Sequence, residues 1–154
     1  MLHVIPFLNS EKGYNEVAKL EKEADNYEDE IGTYLVKVSM QELSDADSRD
    51  VTKILHSITD FERISDHALN IAQSAREMAE KKLSFSPAAQ AELKVMTGAI
   101  DEIVGIAIGG FVSDSADAAR HVEPLEEVVD ELNTNIRAAH IKRLKDGECT
   151  IELG

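Results

Sequence analysis

The chain has one cysteine, Cys149, among its 154 residues, and only 16 lysines and arginines against 30 aspartates and glutamates. A single thiol cannot close an internal disulfide, so the fold must stand on its own core, and a reducing compartment fits best. With a net charge of -14 there is no basic stripe to displace counterions from a phosphate backbone, which argues against nucleic acid. Long hydrophobic runs are missing too. The longest, "IVGIAIGGFV", is interrupted by glycines and falls well short of the ~20 apolar residues that cross a bilayer. "MLHVIPFLNSEK" lacks the basic start and the apolar length of a signal peptide, so the chain reads as soluble. Strand signals are absent: there is little β-branched alternation and no Asn-Gly or Asp-Gly hairpin between apolar runs.

What is present is helical period. Apolar residues recur at Val17, Leu20, Ala24, Tyr27, Ile31, Tyr34, Leu35 and Val38, spaced by threes and fours. Ser44 and Asp47 have the spacing of a capping box in a weaker Asp form. They announce a second helix with Val51, Ile54, Leu55, Ile58, Phe61, Ile64, Ala68, Ile71, Ala72 and Ala75 on one face, closed by "KKLSFSP". Ser86 reads as the N-cap of a third helix with Pro87 at its first position. Leu93, Met96, Ile100, Ile103, Ala107 and Phe111 form its stripe, and Gly109-Gly110 suggests a bend or break. A fourth helix is expected over 118–146 with Gly147 as its C-terminal cap, and "CTIELG" resembles the first turn of another. The fold class is all-α, an antiparallel helical bundle with short connections.

The chain repeats itself at an offset of 105. "LEKEADNYEDEI" aligns with "LEEVVDELNTNI": Leu, Glu, Asp and Ile coincide, while Ala24/Val129 and Tyr27/Leu132 agree in character. The fourth helix therefore resembles a second copy of the first. The expected organisation is a first bundle over 1–117 and the start of a second, truncated repeat over 118–154.

Carboxylates recur with the copies. With Phe61 at the centre of its apolar stripe, Glu62 and Asp66 lie on one flank, about 100° and about 140° round the helix. Glu21 and Asp25 stand in the same relation to Leu20, and Glu126 and Asp130 to Leu125. Residues four apart are stacked neighbours, so two like charges there repel unless a cation offsets them. So acidic a chain holds about six such pairs by chance, which makes any single pair an ordinary solvated face. Three pairs at one offset from a core position, two of them related by the repeat, set metal ligands level with the solvated-face reading, since hard and borderline cations take oxygen donors. If the first two helices pack antiparallel, Glu21, Asp25, Glu62 and Asp66 can meet across the interface, with Asn70 one turn beyond as an outer partner. Arg63 offers a purely structural neutralisation of part of that charge. His67 points away from the stripe and reads as a surface residue.

At these residues the sequence resembles the PhoU family. "ITDFERISDHALNIAQSA" is similar to that family's Glu-Arg-Ile-Gly-Asp-His-Ala-x-Asn-Ile-Ala signature, with Ser65 in the usual glycine position. More narrowly, "YEDEIGTYLVKVS", "LSDADSR" and "GECTIELG" look like the soluble C-terminal domain attached to bacterial sodium/phosphate cotransporters. The resemblance implies two three-helix bundles as a pseudo-repeat. Its metal motifs fall on Glu21, Asp25, Glu62, Asp66, Glu126 and Asp130, and its metals are iron, magnesium, manganese or zinc. It implies a role in phosphate transport or its regulation at the cytoplasmic face of the inner membrane. The expected partner is the membrane-embedded transporter portion of the same full-length protein, with a homo-oligomer also compatible. A stand-alone regulator of an ATP-driven phosphate importer and its sensor kinase is the alternative, as is a helical scaffold with no metal site. Two departures stand out: the fourth motif and the membrane-spanning transporter are both absent from this sequence.

An enzyme is not expected. Di-iron carboxylate oxidases use Glu-x-x-His on two helices, and none of the five histidines has a glutamate three residues before it. No activated nucleophile or Gly-rich phosphate loop is seen.

Overall fold

A computed structural model describes residues 11–153. The signal-peptide reading of "MLHVIPFLNSEK" falls almost wholly outside them. Helix α1 spans Glu11–Ser39, α2 Asp45–Glu80, α3 Pro87–Val112, α4 Ala116–Ala119 and α5 Val122–Lys145, and a single 3₁₀ turn covers Ile151–Leu153. No strand occurs among the described residues, in keeping with an all-helical, PhoU-like bundle class.

The chain divides into two compact units at Lys81–Lys82. The repeat reading divided it at residue 117. The first division follows where helices find their contacts, the second where sequence copies begin. Each unit is described by itself.

In the first unit α1 and α2 form a hairpin. The Ser44 side chain caps α2 by accepting the Asp47 N–H at 3.2 Å, and its hydroxyl donates to Asp47 Oδ2 at 2.7 Å. The helix ends at Lys81, whose ammonium lies 2.6 Å from Glu77 Oε1, and Lys82 turns the chain with a φ of 54°. Three contacts fix an antiparallel register. Ile58 Cδ1 lies 3.8 Å from the Cβ position of Gly32; Thr59 Oγ1 donates to Glu28 Oε1 at 3.2 Å; and the Arg76 guanidinium sits 4.4 Å above the Tyr14 ring. The seam residues alternate by fours and threes, Val17, Glu21, Ala24, Glu28, Ile31, Leu35 and Val38 against Val51, Leu55, Ile58, Glu62, Ser65, Leu69 and Ala72, as knobs-into-holes packing requires. Leu35, at 7% exposure, and Ala72, at 0%, are its most buried points.

In the second unit α3 packs on α5 and on α4. Ser86 caps α3 by accepting the Ala89 N–H at 3.2 Å, with Pro87 at the first position. The break expected at Gly109-Gly110 falls later, after Val112. Gly110 is buried, and a Cβ there would lie 3.0 Å from the Ala118 Cβ, so this glycine lets α4 close on α3. Ser115 N–H donates to Gly110 O and Asp114 N–H to Phe111 O, a left-handed close with Asp114 at φ 50°. The expected continuous fourth helix is two pieces, α4 and α5. Pro124 is the reason: in α5 its ring would clash with the Arg120 carbonyl if the helix ran through, so α5 starts at Val122. At the other end Gly147, φ 72°, closes α5, with Glu148 N–H on Arg143 O and Gly147 N–H on Leu144 O.

By length and composition helix α3 is apolar enough to cross a membrane, although no uninterrupted apolar run in it is that long.

Candidate functional site

Glutamates occupy seam positions of the α1–α2 hairpin where a coiled coil normally places apolar residues. Glu21, Glu28 and Glu62 are all half-buried, whereas Phe61, expected at the centre of the apolar stripe, is 44% exposed. The wheel reading identified the stripe but not the flank that faces α1. The register decides that: Gly32 against Ile58 and Glu28 beside Thr59 bring Glu28 level with Glu62, and leave Glu21 two turns away, level with Leu69.

The hairpin therefore has two unlike edges. Wheel geometry puts Asp25, Thr59 and Asp66 along one side of the seam, and Leu20, Tyr27, Tyr34, Ile54 and Phe61 along the other. On the acidic edge the Glu62 carboxyl is held above its ordinary range. Partial withdrawal from water is the largest cause, followed by the charges of Asp66, Glu28 and Asp25 and a hydrogen bond with Asp66. Four carboxylates from two helices thus share one neighbourhood. Thr59 fixes one of them, donating to Glu28 as well as to the Leu55 carbonyl.

Of the six residues expected from sequence, the fold brings Asp25, Glu62 and Asp66 together. Glu28, absent from the expected set, joins them. The signal for it was the heptad spacing Glu21–Glu28, visible once the seam rather than the stripe centre sets the phase. Glu21 is in the same seam, but it is not among the groups that act on Glu62. Glu126 and Asp130 lie exposed on α5 in the other unit. Asn70 and His67 are exposed on α2.

The donors' chemistry suits a hard cation, since all are carboxylate oxygens. Their spacing is a separate matter. Among the described residues no three His, Cys, Asp or Glu side chains converge closely enough to hold a metal ion as they stand.

A second charged cluster holds the other unit together. Both Arg143 Nη atoms donate to the two Glu92 carboxylate oxygens at 2.7 Å, with side-chain exposures of 11% and 27%. This fork keeps the Glu92 carboxyl below its ordinary range. Cys149 returns against the same turn, its Sγ 3.6 Å from His140 Nδ1.

Comparison with known proteins bears on the first unit. The PhoU domain model matches residues 7–75, which covers α1, most of α2 and all four acidic-edge carboxylates. The phosphate-specific transport system accessory protein PhoU homolog 1 of Thermotoga maritima is 32% identical over 105 residues, 68% of this chain and 44% of that protein. The chain thus aligns with less than half of the relative's length. No solved structure matches the chain. PhoU domains are regulatory and accessory rather than a family of enzymes. Residues 7–75, with the acidic edge they carry, are thus similar to PhoU domains.

Proposed function

We propose that the chain is a metal-responsive regulatory module of phosphate transport, acting at the cytoplasmic face of the inner membrane. The observation that carries this reading is the coincidence of the PhoU match with the acidic edge at Asp25, Glu28, Glu62 and Asp66. Seam glutamates weaken a hairpin that has nothing to neutralise them, so a bound cation adds stability that the hairpin alone lacks. Asp25 and Asp66 are exposed at the rim. A divalent metal or iron would supply positive charge shared between α1 and α2, and its occupancy would bias how the hairpin presents itself to a partner.

Two assignments of that partner are supported by different observations. The Thermotoga relative's name supports a regulator attached to a phosphate-specific transport system. The phrases "YEDEIGTYLVKVS" and "GECTIELG" support instead the membrane-embedded part of a sodium/phosphate symporter, carried on the same full-length protein. Radiolabelled phosphate uptake, followed with sodium and then with ATP-driven import removed, separates the two.

The metal reading has its own test. Elemental analysis of chain purified without chelator should find iron, magnesium, manganese or zinc, and the Glu62→Gln/Asp66→Asn pair should lose most of it with helicity unchanged. Metal content unaffected by that pair would sink the assignment.

A further inference from the structure

The second unit sets the one thiol of the sequence against ionisable groups. The Cys149 S–H has two acceptors within reach, both on His140: the ring Nδ1 at 3.6 Å and the main-chain carbonyl at 3.9 Å. Backbone holds the returning segment in place, with Gly147 at φ 72° and Glu148 N–H on Arg143 O at 2.8 Å. The sulfur is therefore positioned by the end of α5 rather than by chance approach.

His140 and Arg143 lie three apart on α5 and so share a face. When the thiol donates to Nδ1, the ring keeps its own proton on Nε2. That nitrogen is withdrawn from water and meets no hydrogen-bond partner among the described residues. A proton moved from sulfur to Nδ1 thus leaves the Nε2 N–H as it was and adds no second unpaired group. Two charges lie within reach of the resulting pair. Arg143, raised mainly by its fork with Glu92, is raised further by Cys149, and Glu92, lowered mainly by that fork, is also lowered by His140. A cation near the sulfur and an anion near the imidazole match the charges that proton transfer creates.

We propose that Cys149 is an oxidation site for small hydroperoxides, with His140 as the base that accepts the thiol proton. Sulfur attacks one peroxide oxygen as its proton passes to Nδ1. An S–O bond forms, the O–O bond breaks and sulfur gives up two electrons. The departing hydroxide takes the proton from the imidazolium and leaves as water, and Cys149 is left as a sulfenic acid. No second cysteine in this sequence can condense with it. Charge selects the oxidant: a chain at -14 repels anionic disulfides, whereas a hydroperoxide is neutral. A metal is disfavoured, because no third ligand converges on the pair among the described residues.

Hydrogen peroxide added to the full chain, with dimedone trapping read by mass spectrometry, tests this. The folded wild type should form the sulfenic acid about tenfold or more faster than the same chain unfolded in urea. His140→Asn, which keeps a polar group near the sulfur but cannot take up a proton, should lose most of that gain with circular dichroism unchanged. A folded rate no greater than the unfolded one overturns the proposal, as does His140→Asn reacting at the wild-type rate. If His140→Asn fails to fold, the comparison of folded with unfolded wild type decides alone. Protection of the thiol by equimolar zinc would assign the pair to a metal and overturn it too.

Discussion

Glu62 is where the sequence argument and the fold meet most closely. A raised carboxyl binds its proton more tightly folded than unfolded, so protonation stabilises the hairpin. That contribution is fully present below the ordinary glutamate range and is lost as pH rises through the raised folded value. Thermal melts followed by circular dichroism should therefore show the first unit gaining stability as pH falls from neutrality. Glu62→Gln should hold that gain at neutral pH and flatten the profile, and identical pH slopes for the two proteins would contradict it. Leu35, the most buried large side chain of the seam, gives a packing counterpart. Leu35→Ala should cost roughly 2 kcal/mol in denaturant unfolding, the low end for a leucine because a two-helix seam relaxes more easily than a closed core. Much of this residue-scale detail was legible beforehand: Glu62, Asp66 and Asp25 were found by spacing. Glu28 was not, because the apolar stripe was phased on Phe61 and only tertiary contacts choose which flank of a stripe becomes the seam.

Helix ends were the most readable elements, since their determinants are local. Ser44, Ser86 and Gly147 cap as their neighbours in sequence predict. Gly147→Ala should cost about 1 kcal/mol, because its φ of 72° strains any side chain. The α3–α5 connection was misplaced because Gly109-Gly110 was read as weakness. Gly110 is in fact a contact, and Gly110→Ala should destabilise the second unit by about 1–3 kcal/mol unless α4 shifts. The Glu92–Arg143 fork was invisible from sequence, the partners being joined only by folding. Its pH signature is opposite to that of Glu62. Glu92 stabilises above the ordinary glutamate range, and that contribution disappears as acid carries the pH down through its lowered folded value. Nuclear magnetic resonance titration of the two carboxyls should show Glu62 protonating first on acidification.

At the scale of the molecule, the repeat was the most informative feature of the sequence, because it compares one helix in two surroundings. Leu20, Tyr27 and Tyr34 are exposed on α1 whereas Leu125, Leu132 and Ala139 are half-buried on α5, a contrast that periodicity alone cannot express. The absence of a strand among the described residues and the helical order followed directly from period and capping. The compact units did not, because their boundary at Lys81–Lys82 depends on which helices touch.

Leu35 and Ala72 are the only buried hydrophobic side chains among the described residues. A chain that hides so little hydrocarbon releases little ordered water when it melts. Calorimetry should record a heat-capacity increment below the usual ~12–15 cal/mol/K per residue, and a broad endotherm that sharpens only when something else shelters the helices.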